Sequence, residues 1–103
     1  MSTSCVIAAK NNPSIGVYLH WDGGDMDMIK KIVNKAKEHR VRNPNSDESY
    51  GMFGIARAIA ELDRCPSWET GYGLTTFVRG KPKYYCNFIY YIDEDWNIEQ
   101  VIA

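Results

Sequence analysis

The residues of this chain best suited to chemistry are His20 and Asp22, two positions apart at the end of a β-rich run. An imidazole and a carboxylate so placed can converge on one ligand, as general acid–base work or metal binding requires. The sequence holds only two histidines, and no third ligand is spaced to complete a zinc or facial-triad site. The plainer reading keeps His20 in a local hydrogen bond and gives Asp22 the capping of the following helix. No Gly-x-Ser-x-Gly elbow, ordered triad or phosphate loop is present, since Gly71-x-Gly73 lacks the remaining glycines and a following helix. The expectation is a protein that binds without catalysis, cofactor or metal.

A second set of residues fits an anionic, aromatic ligand. Arg57 and Arg79 offer planar forks that suit phosphate better than an ammonium does. Tyr72, Tyr85, Tyr91 and Trp96 offer rings on which a nucleobase can stack, for roughly 1–3 kcal/mol per base, although core or subunit packing is the commoner fate of such rings. Asn87 is a lone amide in an apolar run, and it must find a partner such as a base edge or a neighbouring chain's backbone. The site expected from sequence therefore comprises His20, Asp22, Arg57, Tyr72, Arg79, Asn87, Tyr91 and Trp96. It lies where the His20 strand end meets the aromatic strands, with Arg57 or Arg79 supplied across a subunit boundary.

The elements that must position these residues follow from periodicity. Residues 4–9 and 15–21 are short β-rich runs joined by Lys10-Asn11-Asn12-Pro13-Ser14, which reads as a hairpin. Ile15, Val17, Leu19 and Trp21 alternate with Gly16, Tyr18 and His20, so His20 points away from the main core. Met26, Ile29, Ile32, Val33 and Ala36 recur at helical spacing after Asp22-Gly23-Gly24-Asp25, with Asp22 or Asp25 as cap. Pro44 forbids continuation, and Asn45-Ser46-Asp47 can cap a second helix whose stripe is Met52, Ile55, Ala56, Ile59 and Leu62, ending before Pro66. Gly51 and Gly54 inside it cost about 1 kcal/mol each relative to alanine, so a close approach is expected there, on the first helix or on a ligand or second subunit.

Strand patterning returns from Tyr72 to Arg79, Tyr84 to Ile92 and Trp96 to Ile102, a three-stranded meander. Tyr84 to Ile92 is apolar or aromatic on both faces and reads as the central strand. The whole is an α+β domain over residues 1–103, ββααβββ, with a mostly antiparallel sheet carrying two helices on one face. Two helices cover only one face of five strands, so the face bearing Tyr85, Asn87, Ile89 and Tyr91, or the alternate set, is expected to meet a ligand or a second subunit, making a homodimer or larger homo-oligomer.

The composition agrees with one small globular core: 45% apolar, 24% charged and an aromatic-rich 13%. A net charge of −1 argues against a dedicated binder of long nucleic acid. Lys30, Lys31, Lys35, Lys37, Arg40 and Arg42 nevertheless crowd one segment, while Asp93, Glu94, Asp95 and Glu99 crowd another, an asymmetry that steers anions or pairs subunits. Cys5, Cys65 and Cys86 are odd in number and scattered, so free thiols are expected. No run is apolar enough to span a membrane and no leader pattern opens the chain, so the cytoplasm is the expected location.

The opening Met1-Ser2-Thr3-Ser4-Cys5-Val6-Ile7-Ala8, followed by Val17-Tyr18-Leu19-His20-Trp21-Asp22-Gly23, resembles a family of short phage and prophage proteins. Those proteins open on Met-Ser-Thr-Arg-Ser-Asn-Ile-Ala and carry a strand that ends His-Trp-Asp-Gly-Tyr. Here Cys5-Val6 replaces Ser-Asn, and Gly24 replaces the tyrosine. The resemblance covers about the first quarter of the chain and implies a phage origin with little assigned chemistry. The architecture also resembles the sponge proteins with which phages sequester nucleotide second messengers of bacterial defence, the anti-Thoeris and anti-CBASS proteins. That likeness implies a small nucleotide-type ligand held in the host cytoplasm without cleavage. Two other readings stand beside it: an anti-CRISPR-like inhibitor that acts on a host protein complex, and a small hydrolase built on His20 and Asp22.

Overall fold

A computed structural model describes residues 3–20, 23–62 and 71–103. Trp21, Asp22, Cys65 and Pro66, and with them the expected end of the second helix, lie outside the described residues.

The strand β1 (Cys5–Ala9) is buried at every position. Its run Cys-Val-Ile-Ala-Ala offers apolar groups to both faces, which is the pattern of a strand covered on both sides. It pairs antiparallel with β2 (Ile15–Leu19), Val6 opposite Tyr18, through a turn in which Asn12 takes φ 48°, a conformation asparagine tolerates. The helix α1 (Met26–Glu38) starts on Asp25, whose carboxylate accepts hydrogen bonds from the N–H groups of Asp27 and Met28 at 3.0 and 3.2 Å. The helix α2 (Glu48–Leu62) starts on Asp47, which accepts from Tyr50 N–H at 3.1 Å. The apolar stripes of both helices, Ile29, Ile32, Val33 and Ala36 with Met52, Ile55, Ala58 and Ile59, close over Cys5, Ile7, Val17, Leu19, Tyr90 and Ile92 on one face of the sheet. No helix among the described residues is long and apolar enough to cross a membrane.

The remaining strands are β3 (Tyr72–Val78), the two-residue β4 (Lys81–Pro82), β5 (Phe88–Ile92) and β6 (Ile98–Ile102). The sheet has six strands in the order β4-β3-β2-β1-β5-β6, antiparallel except where β1 and β5 run parallel with Val6 beside Ile89. The expected α+β sheet with both helices on one face is therefore present, but the expected meander is not. β3 pairs with β2, and β5 sits on the far side of β1. A meander would leave β1 as an edge, and a fully buried strand cannot leave a row of backbone donors and acceptors unpaired.

The central strand is thus β1 rather than Tyr84 to Ile92. Residues 83–87 are no strand at all; they cross beneath the sheet as a strap. Lys83 N–H donates to Thr76 C=O at 2.8 Å, Tyr84 N–H to Thr75 Oγ1 at 3.1 Å, and Asn87 N–H to Ser4 C=O at 3.0 Å. The strap so runs from β3 past β2 to the start of β1. It seals Cys86 against Val6, Ala8 and Ile89, a small second core rimmed by Tyr18, Phe77 and Tyr91. Gly16 makes room for it: a Cβ there would stand 2.5 Å from Val6 Cγ1 and 3.1 Å from the Phe77 ring. The face expected to await a partner is in good part covered by the chain itself.

Candidate ligand-binding site

The residues expected to share a site are distributed around the fold. His20 closes β2 on the strap side, its Nδ1 2.9 Å from the Tyr18 hydroxyl, while Asp22 lies outside the described residues. Tyr91 is half-buried on the same side, where burial pushes its hydroxyl above the ordinary value of 10.0. Asn87 is a clip: its Oδ1 accepts from Ser4 N–H at 2.9 Å, which answers the question its amide posed without a base edge or a second chain. Arg79 is exposed in the β3–β4 turn at φ 54°. Tyr72 lies on the helix side of β3, and Trp96 packs from the β5–β6 turn against the helix-side core. Arg57 stands on α2, with the sheet between it and His20. Within one chain these residues do not converge.

The fold brings a different set together around Arg57. On α2 the stripe Met52, Ile55 and Ile59 faces the core, so Tyr50, Phe53, Gly54 and Arg57, at i, i+3, i+4 and i+7, form another face. The linker from α1 lies along that face because two glycines admit it. A Cβ on Gly51 would meet Pro44 Cα and N at 2.6 Å, and one on Gly54 would meet Val41 Cγ1 at 2.5 Å. The close approach expected of these glycines is real, and its object is the linker rather than α1. Arg40, at φ 55°, turns the chain out of α1 and onto the same face.

The outcome is a cleft of about 530 Å³ with Arg40 and Arg42 on one wall and Tyr50, Phe53 and Arg57 on the other. Tyr50 is 63% and Phe53 74% exposed, so both rings are open to solvent. The Arg42 guanidinium stacks 4.5 Å above the Tyr50 ring centre while Nη1 donates to Asp47 at 2.8 Å. Arg57 Nε donates to Glu61 Oε1 at 3.1 Å, and the other oxygen of Glu61 is 2.6 Å from His39 Nε2.

These contacts fix the carboxylates as anions. The hydrogen bond from Arg42 holds Asp47 below its usual 3.8, and that from His39, then Arg57, holds Glu61 below 4.5. Each carboxylate engages one edge of a guanidinium that has five N–H donors, and both arginine side chains remain more than half exposed. Three arginines against two carboxylates leave the cleft an excess of positive charge. Planar cations beside exposed rings can hold a flat anionic ligand.

Phe53 is also the ridge of a second groove, about 430 Å³, that runs between α2 and β3 and is lined by Met52, Ala56, Ile59, Tyr72 and Leu74. Among the described residues no group of three His, Cys, Asp or Glu is placed to hold a metal. Of the eight residues expected to share a site, this cleft takes in Arg57; Arg40 and Arg42 come from the basic segment expected to steer anions, and Tyr50 and Phe53 were not singled out. The available signal was a pair of aromatic residues on α2 that fall off its apolar stripe, opposite a basic linker.

No protein-family model matches the chain, and no curated protein or solved structure does so either.

Proposed function

We propose that this protein binds a small nucleotide-type ligand in the arginine–aromatic cleft and holds it without cleaving it. The observation that carries the reading is the meeting of Arg40, Arg42 and Arg57 with the open rings of Tyr50 and Phe53 around one cleft. Guanidiniums recognise phosphate, and the rings supply a stacking surface that accepts any base. The cleft lining offers no imidazole or thiol among the described residues, which favours retention of the ligand over turnover. With the resemblance of the chain's opening and of its His20-Trp21-Asp22-Gly23 segment to phage proteins, the biological role we propose is sequestration of a signalling nucleotide of bacterial defence.

Calorimetry against cyclic dinucleotides, cyclic trinucleotides and cyclic ADP-ribose isomers tests the reading, with chromatography of the released ligand. At least one compound is expected to bind and to be recovered intact. Arg42→Ala and Arg57→Ala are each expected to weaken it about tenfold or more, since a hydrogen bond to a charged group contributes about 1.5–3 kcal/mol and 1.4 kcal/mol is tenfold. Absence of binding across the panel, or affinity unchanged within twofold in both variants, overturns the proposal.

A second reading, inhibition of a host protein complex, is favoured by the apolar groove and by the exposure of Leu74 beside it, 69%. Native mass spectrometry of protein purified from its host separates the two. A nucleotide released on denaturation favours the first reading, and a bound protein lost on Leu74→Asp favours the second.

A further inference from the structure

From the open edge of β6 we infer a self-association surface: two copies of this chain pair antiparallel through Ile98–Ile102 about a two-fold axis at Gln100. The surface lies apart from the arginine cleft and does not depend on what that cleft binds.

The hydrogen-bond phase of the β5–β6 ladder sets which backbone groups are available. Asp93 N–H donates to Asn97 C=O at 3.0 Å and Ala103 N–H to Asn87 C=O at 3.1 Å. In an antiparallel pair the bonded positions alternate, so Glu99 and Val101 turn their backbone groups to β5. Ile98, Gln100 and Ile102 turn theirs outward. Among the described residues nothing pairs with those groups, because β6 has β5 as its single neighbour. The opposite edge of the sheet is different, since β4 and Lys83 already occupy part of β3.

An edge of this kind is normally protected by lysine, proline, a bulge or an inward charge. β6 reads Ile-Glu-Gln-Val-Ile and carries none of the first three. Its one charge, Glu99, lies on the strap side, paired with Lys10 at 3.4 Å. Ile102 is left 80% exposed.

A second copy fits this edge in one full-length register. With Gln100 facing Gln100 of the second copy, Ile98 faces Ile102 and Ile102 faces Ile98. All of these are outward-bonding positions, so each facing pair exchanges two backbone bonds. On the helix side the register sets isoleucine against isoleucine. On the strap side each Glu99 faces a Val101, so the two acids do not oppose one another directly. The patch is self-complementary, as a two-fold interface requires. A ladder this short buries less than a standard interface of about 1,600 Å², so the association is expected to be weak and to depend on concentration.

Disulfide trapping tests the register, in full-length chain carrying Cys65→Ser; Cys5 and Cys86 are buried. Facing Cα atoms at a bonded antiparallel pair are about 5.5 Å apart, within disulfide range. Gln100→Cys is expected to cross-link to itself under diamide. Glu99→Cys is expected to cross-link with Val101→Cys in a mixture and not with itself. Sedimentation of the unmodified protein is expected to show mass rising from monomer toward dimer between about 1 and 200 µM, and Ile102→Lys, a change at an exposed position, is expected to remain monomeric. A monomer throughout that range, or Gln100→Cys cross-linking no faster than the exposed control Ser46→Cys, overturns the inference, including the case where the edge serves an unrelated partner.

Discussion

Replacing Gly51 by alanine sets two effects of known size against each other. Inside α2, alanine is favoured over glycine by about 1 kcal/mol, so helix propensity alone makes the substitution stabilising. The new Cβ, however, would stand 2.6 Å from Pro44 Cα and N and 2.7 Å from Arg42 C=O. These are backbone atoms, which cannot swing aside, and reaching ordinary contact at 3.4 Å requires the linker to retreat by about 0.8 Å. Overpacking costs roughly 1–3 kcal/mol, and a clash with backbone that cannot rotate away falls in the upper half of that range. The expected net effect is a loss of about 1–2 kcal/mol. For a domain of this size that lowers Tm by about 5–15 °C. Urea denaturation measures it directly, with Gly24→Ala as the control. A Cβ at Gly24 meets Thr3 Cγ2 at 3.6 Å and Phe88 Cε2 at 3.8 Å, and the change there should stay within about 0.5 kcal/mol. The same retreat displaces Arg42 from Tyr50, so ligand affinity should fall in Gly51→Ala. A Gly51→Ala protein as stable as the parent, or more so, would refute the account of why the linker lies against α2.

Three further outcomes are expected. Tyr90→Phe should cost about 1–3 kcal/mol in urea denaturation, because the buried hydroxyl donates to Gly23 C=O at 2.7 Å and accepts from Gln100 Nε2 at 2.8 Å, and its loss leaves a buried carbonyl unpaired. Stability should fall at both ends of the pH scale. Asp47, Glu61 and Asp93 have folded values below their ordinary 3.8 and 4.5, for Asp93 chiefly through the Asn97 N–H, so their contribution is present above those values and is lost as pH drops through the folded ones. Tyr90 and Tyr91 are raised above 10.0 by burial, so their contribution is present below that value and lost as pH rises past it; a flat profile between pH 7 and pH 2.5 would contradict the acid limb. Cys86, whose thiol burial pushes above 9.0, should resist iodoacetamide at pH 7.5 in the folded protein and react promptly in urea, as peptide mass mapping would report.

Local chemistry was legible in the sequence wherever one element decided it. The alternation in Ile15–Leu19 placed His20 away from the core, Asp25 and Asp47 capped the helices, and the spacing of Ile29, Ile32, Val33 and Ala36 marked the buried face of α1. What escaped was pairing over distance. Tyr84-Tyr85-Cys86-Asn87 is as β-rich as the strand that follows, and nothing local says that it crosses beneath the sheet. The deciding fact is that β1 requires a neighbour on each side, which only the assembled sheet reveals. The site escaped for the same reason. Arg40 and Arg42 read only as part of a basic segment until the glycines of α2 bring the linker beside Tyr50 and Phe53, while Arg79, Asn87 and Trp96, attractive as residue types, are carried to separate places by the turns and clips that hold them.

The parallel pairing at the centre of the sheet also sets a timetable. Ser4 and Asn87, 83 positions apart, meet where β5 comes to lie beside β1 and Cys86 covers Val6 and Ala8. On a ribosome the first hairpin and both helices emerge while that edge of β1 is still bare. Loop closure over such a span precedes any contact that rewards it, and folds dominated by distant strand pairings complete in milliseconds to seconds. The nascent chain therefore passes through a stage with its most apolar strand half-dressed, and that exposure to other unfinished chains ends only when β5 takes the open edge and the strap covers Val6 and Ala8.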